Sequence, residues 1–119
     1  MMRVLPESEG NILGVQASGK MTEADYNETW IPKLTEIVRT HGSVRALLYM
    51  DETFDGWGLA ALWEDAKFGL KQADDFEKIA VVGGPDWVRN AVKLFGGFMK
   101  GDIKSFAGNE LGEAWSWIK

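Results

Sequence analysis

The sequence contains no cysteine and a single histidine. Without thiols there is no disulfide, no thiolate metal site and no cysteine nucleophile, a profile that suits a reducing compartment. One imidazole, at His41, does not assemble the usual acid–base or acyl-transfer teams, and no serine nucleophile motif accompanies it. Positive charge is scarce as well. Thirteen Lys and Arg against 18 Asp and Glu leave a formal net charge of −5, which repels phosphate backbones, and no arginine-rich stripe with interleaved stacking residues offsets it. Nucleic acid is therefore not expected as a partner. No run approaches the roughly 20 apolar residues needed to span a bilayer, and no secretory apolar segment follows Met1. The expectation is a cytoplasmic protein with no cofactor.

What is present is an ordinary globular balance, 45% hydrophobic and 26% charged over 119 residues, which predicts one domain over residues 1–119 with a single core and no internal linker. The unusual feature is six Trp beside six Phe. Trp is large and seldom fully hidden, so this number predicts aromatic surface left over for a ligand, a membrane or a partner. Complete burial in the core and its edges is the competing reading.

Met2 to Leu5 and Asn11 to Ser18 read as two strands joined by the Pro6-Glu7-Ser8-Glu9-Gly10 turn, an antiparallel hairpin. Thr22 caps a helix with Glu23 and Asp25 in its first turn, and Tyr26, Trp30, Leu34, Ile37 and Val38 recur at helical spacing up to His41-Gly42. Pro32 predicts a kink or two abutting helices, since it removes a donor and suits the first turn of the second. Val44 to Met50 is a near-continuous apolar run of strand length, the pattern of a strand covered on both faces. A helix from about Gly58 to Gln72 comes next. Lys78 to Val82 repeats the buried-strand pattern before Gly83-Gly84-Pro85 opens a helix to Met99, and Ile103 to Phe106 is a last short strand. Asn109 then caps a terminal helix whose Leu111, Ala114, Trp115 and Ile118 line one face. The order ββαβαβαβα predicts an α/β fold, a mixed and mostly parallel sheet flanked by helices.

With that order in place, the chain resembles the SpoIIAA-like family, a branch of the STAS fold related to anti-sigma factor antagonists. The matching pieces are Ile31-Pro32, Phe54-Asp55-Gly56-Trp57, Leu62-Trp63-Glu64-Asp65 with Lys67-Phe68-Gly69, Ile79-Ala80-Val81-Val82-Gly83, and Ala114-Trp115. The resemblance implies an α/β sheet, no enzymatic activity, homodimers, and a role in holding apolar ligands or touching membranes. Phosphoswitch members of the wider STAS group carry a phosphorylatable Ser at the start of the helix after the central strand. Here that place reads Gly56-Trp57-Gly58, and the nearby Thr53 sits among Asp51, Glu52 and Asp55, where further negative charge is disfavoured. A kinase-controlled switch is not expected.

The stretch from Ala46 through the acidic loop Asp51 to Gly58 sets Phe54 and Trp57 at a strand's carboxyl end, where open α/β sheets tend to bind ligands. Along the helix from Pro85 to Met99, Val88, Ala91, Val92, Phe95 and Met99 form one apolar stripe, and Trp87, Leu94 and Phe98 form a second beside it. A core needs one such face, so a neighbouring helix, a ligand or a bilayer covers the other. Phe68 points away from its own helix's core stripe. Arg89, Lys93, Lys100 and Lys104 lend this edge a basic character suited either to anionic lipid or to plain solvation. Gly83-Gly84-Pro85-Asp86 imitates a phosphate loop, but Asp86 satisfies the helix dipole itself and argues for a tight turn. Asp51, Glu52 and Asp55 read as solvated loop acids, and no metal site is expected. His41 is explained by its place at a helix carboxyl end.

The leading expectation is thus a non-enzymatic binding module with an apolar groove between the second and third helices, lined by Trp57, Trp63, Phe68, Trp87, Leu94, Phe95 and Phe98, that holds a lipid-like molecule and associates peripherally with membranes. The alternative is a protein-interaction module of STAS type in which the same patch docks a helix or a second copy of the chain. A third reading, an enzyme of unrecognised type, requires convergent titratable groups in one cleft.

Overall fold

A computed structural model describes residues 1–56, 75–97 and 100–119. Strands β1 (Met2–Val4) and β2 (Ile12–Ala17) form the expected antiparallel hairpin, with Arg3 opposite Gln16. Its turn is held by Ser8, whose hydroxyl donates to the Gly14 carbonyl at 3.1 Å and accepts from the Gly14 N–H at 2.9 Å.

The helical stretch opens at Thr22, whose hydroxyl accepts from the Asp25 N–H while the Asp25 carboxylate accepts from the Thr22 N–H at 2.8 Å. This reciprocal box satisfies donors that a helix start leaves orphaned. Helix α1 (Glu23–Asp25) passes through a π-helical turn, Tyr26–Trp30, into α2 (Ile31–His41), with Pro32 in its first turn. Pro32 has no N–H to offer the turn before it, and the widened π turn absorbs the missing bond. The interruption expected at Pro32 is therefore two abutting helices. Gly42, at φ +84°, stops α2 in the left-handed conformation just after His41.

Strand β3 (Val44–Met50) has the bounds its apolar run predicts. Strand β4 (Phe76–Gly83) is longer than Lys78 to Val82, because it pairs with β3 from Val44 to Met50. Helix α3 (Trp87–Gly96), β5 (Asp102–Phe106), a 3-10 turn at Gly108–Glu110 and α4 (Leu111–Ile118) complete the described elements. Asn109 does not cap the last helix. The chain already turns at Gly108, and the Glu110 carboxylate reaches back to the Ala107 N–H at 2.7 Å in its place. The helix expected over residues 58–72 lies outside the described residues.

The five strands run in the order β1-β2-β3-β4-β5, antiparallel at the first pair and parallel at the others. The chain is an α/β fold with a mostly parallel sheet. On one face Leu13, Val15, Ala46, Met50 and Val81 pack with Tyr26, Trp30 and Leu34 and with Val88 and Val92 of α3. On the other, Leu47, Ala80, Val82 and Phe106 pack with Ala114, Trp115 and Ile118 of α4. β3 feeds both layers, which is why its sequence alternates so little. Trp115 lies against the backbone of β2 where any side chain at residue 14 would stand, so Gly14 is required there. Trp30 and Trp115 are each 8% exposed, so these two aromatics belong to the core and leave no surface surplus.

Candidate functional site at the carboxyl rim

Parallel β3, β4 and β5 end on the same rim, and the segment after each strand decides what that rim does. After β3 the chain enters the acidic loop, pinned by backbone bonds to the residues just beyond β2. The Asp55 N–H donates to the Gly19 carbonyl at 2.7 Å, and the Met21 N–H donates to that of Gly56 at 2.8 Å. Asp51 is the hub. One carboxylate oxygen accepts from Gln16 Nε2 at 2.7 Å and from the Ser18 hydroxyl at 2.5 Å; the other accepts from the Thr53 N–H at 2.9 Å and the Thr53 hydroxyl at 2.7 Å. Arg3 extends the chain of contacts by donating to Gln16 Oε1 at 2.7 Å. Desolvation pushes the Asp51 carboxyl up, but the bonds from Ser18, Thr53 and Gln16 outweigh it and hold its pKa at about 2. Asp51 is therefore an internal strut rather than the solvated loop acid that the sequence suggests. The Thr53 hydroxyl is committed too, since it also accepts from the Gly19 N–H at 3.2 Å.

After β4 the turn is built from Gly83 at φ +76° and Gly84 at φ +85°. A side chain at Gly83 would meet the Met50 carbonyl oxygen, and one at Gly84 would meet the Met50 sulfur. Bare backbone thus runs close beside β3 and swings into α3, the tight turn expected from Gly83-Gly84-Pro85-Asp86. After β5, Gly108 and Asn109 form the third wall.

Between these walls lies a cleft of about 820 Å³ lined by Tyr49, Met50, Asp51, Glu52, Phe54, Asp55 and Gly56 on the β3 side, by Gly83, Gly84 and Pro85, and by Gly108 and Asn109. Its size falls within the usual range for ligand pockets, roughly 300–1,000 Å³. Glu52 and Asp55 are exposed at its lip, and Phe54 is half-buried. Close by, Glu110 is held below its ordinary value by the Ala107 N–H and by a hydrogen bond shared with Glu113, and that shared bond pushes Glu113 up. Among the described residues no cluster of His, Cys, Asp and Glu is arranged to hold a metal ion, and no helix is long and apolar enough to cross a membrane.

The site residues expected from sequence lie elsewhere or beyond description. Trp57, Trp63, Phe68 and Phe98 are outside the described residues. Trp87 opens α3 and Phe95 stands near its end. Leu94 is 71% exposed on that helix, while Val88 and Val92 face the core. Sequence reasoning did find the acidic loop at a strand's carboxyl end. It missed that Gly83, Gly84, Pro85, Gly108 and Asn109 complete a cleft with it, although glycines at the ends of β4 and β5 carried that signal.

Comparison with known proteins accords with this architecture. The SpoIIAA-like family model matches residues 12–119. An uncharacterized protein with a SpoIIAA-like fold from Shewanella loihica PV-4 superposes with a TM-score of 0.77 at 26% identity, covering 99% of this chain and 94% of that one. No curated protein matches the sequence.

Proposed function

This chain belongs to the SpoIIAA-like family, and we propose that it is a non-enzymatic interaction module of STAS type that receives a segment of a partner protein in the carboxyl-rim cleft. The observation that carries this reading is the cleft itself, about 820 Å³ between three strand ends. Tyr49, Phe54 and Pro85 offer apolar contact, and the bare glycine backbone lets a partner's main chain approach closely. Glu52 and Asp55 at the lip favour a segment carrying basic side chains. The use of Asp51 as a strut supports a binding role over a catalytic one, because its lone pairs are taken up within the fold. Thr53 is likewise engaged, which argues against control by phosphorylation at that hydroxyl. The test is a photo-crosslinking amino acid placed at Asp55 in cells that make the protein. A discrete protein adduct that disappears with Phe54→Ala and Glu52→Lys supports the cleft. An adduct pattern indifferent to both, or one shared with a crosslinker placed at Leu94, overturns it.

A second reading keeps the apolar ligand or membrane contact, and Leu94 is the observation that favours it. It is 71% exposed on α3, with Arg89 and Lys93 exposed beside it, a combination suited to the surface of an anionic bilayer. Cosedimentation with vesicles containing phosphatidylserine, together with displacement of a fluorescent fatty acid, tests it. Binding that Leu94→Glu abolishes supports this reading, and absence of both signals in the unaltered protein removes it.

A further inference from the structure

A sheet with two ends presents two rows of backbone donors and acceptors, and the two edges here differ in what they would do to a second copy of the chain. β5 is the last strand of the sheet, and among the described residues no strand or side chain hydrogen-bonds to its outer edge. Its sequence is Asp102-Ile103-Lys104-Ser105-Phe106, with Asp102 and Lys104 exposed and Ile103 half-buried. We infer that the β5 edge pairs antiparallel with the β5 edge of a second copy, centred on Ile103, to give one continuous sheet across a two-fold axis.

The argument rests on charge complementarity. In an antiparallel pair directly opposed residues share a face, and opposite charges there attract. With Ile103 facing Ile103, Asp102 of each copy stands opposite Lys104 of the other, and two-fold symmetry supplies that contact twice. Registers centred on Asp102 or on Lys104 set like charges face to face instead. Edge strands commonly carry charge to block pairing, and a strand of one sign blocks every register. The alternation in β5 disfavours these two registers and places opposite charges together in the one centred on Ile103. The other edge behaves differently, because β1 paired with its own copy about its centre would set Arg3 against Arg3. On the α4 side of the sheet, Lys104 lies 5.1 Å from the centre of the buried Phe106 ring, so its stem is already held near the edge where the partner's Asp102 would arrive. This surface is separate from the carboxyl-rim cleft, and its test does not depend on that reading.

Sedimentation velocity on the full chain, at protein concentrations from micromolar to about a millimolar, decides it. The expected result is a monomer–dimer equilibrium that weakens at least roughly tenfold in Asp102→Lys and in Lys104→Asp, each of which brings like charges together. The double variant Asp102→Lys with Lys104→Asp restores the pairing by exchanging the charges. Because Lys104 also lies near Glu110 and Glu113, urea midpoints are read beside each variant, and hydrogen exchange at β5 amides in the unaltered protein gives a measure that needs no substitution. Protection of those amides that rises with protein concentration supports the dimer. A protein that stays monomeric throughout, a dimer that the single changes leave intact, or a double variant that fails to recover it overturns the inference.

Discussion

The two rims of the sheet solve opposite problems. At the amino rim Arg45, Lys78 and Glu77 are spent on their neighbours. Arg45 donates to the carbonyls of Ile118 and Lys119 at 3.1 and 2.7 Å and stands 3.6 Å from Glu77, and Lys78 donates to the Trp117 carbonyl at 2.9 Å. Ser43 and Asn11 complete the Glu77 contacts. These cations meet the end of α4 where unsatisfied carbonyls and the helix dipole both call for positive charge. The carboxyl rim is divided. Its β2–β3 half is locked by Asp51, while its β3–β5 half replaces side chains with glycine and opens a cleft. A fold that closes one end with matched charge can leave bare backbone at the other without losing its register, and rigid support beneath an open site is what binding without large rearrangement needs.

The sharpest way to break that contrast is at Gly83. With φ at +76° and the Met50 carbonyl oxygen 2.5 Å from where a Cβ would stand, Gly83→Ala is expected to cost about 3 kcal/mol, combining left-handed backbone strain with overpacking against an atom that cannot swing aside. Gly10 separates the two contributions. It also has positive φ, +58°, but nothing lies within 4 Å of its Cβ position, so Gly10→Ala should cost only about 1 kcal/mol. Urea titration of both variants checks the difference. Equal losses would mean that close packing at the β4 turn contributes nothing.

The locked half is probed at Asp51. Asp51→Ala removes the acceptor of four hydrogen bonds and strands their donors, for an expected loss of about 2 kcal/mol. The pH dependence has a definite sign. The folded carboxyl, at about 2, lies below its ordinary 3.8, so its contribution is fully present above about pH 4 and is lost as pH falls toward 2. Asp51→Asn should flatten that part of the stability profile. A variant whose acid limb follows that of the unaltered protein shows that other carboxylates carry it.

Much of this was legible in the sequence because it depends on local chemistry. The run Val44 to Met50 had to be buried on both sides, Thr22 and Asp25 had to form a helix start, and Pro32 had to interrupt what surrounded it. The order of hairpin and crossovers then left few sheets to choose from. What depends on distant partners was not legible. Nothing near Asp51 in the chain reveals that Gln16 and Ser18, over thirty residues away, will claim its oxygens, so its acidic neighbours made it look solvated. Asn109 carries the right side chain for a cap, and only the early turn at Gly108 passes that task to Glu110. Trp115 fills the core layer under α4 because a glycine at residue 14 makes room that no periodicity announces.

The amino rim should respond more weakly than the hub. Arg45→Met keeps most of the stem and loses the contacts to Ile118, Lys119 and Glu77, but it also relieves a buried Nε with no hydrogen-bond partner. The expected loss is about 1 kcal/mol, within the range for charged hydrogen bonds at a helix end. Glu77→Gln added to it should cost less than the sum of the two, since both act on one network. Strict additivity in thermal or urea melts would mean that Arg45 serves α4 alone.

The smallest stability effect belongs to the open half, and its smallness is the point. Glu52 and Asp55 are exposed, and among the described residues their side chains make no ion pair or hydrogen bond that the fold needs. Reversing both, Glu52→Lys with Asp55→Lys, should leave the urea midpoint within about 0.5 kcal/mol of the unaltered protein, as surface changes away from special features do. The same reversal inverts the charge at the mouth of the cleft, so any partner drawn by basic side chains should be lost while the fold stays intact. A large fall in stability would instead make these acids part of the lock, and the carboxyl rim would no longer divide into a braced half and a free one.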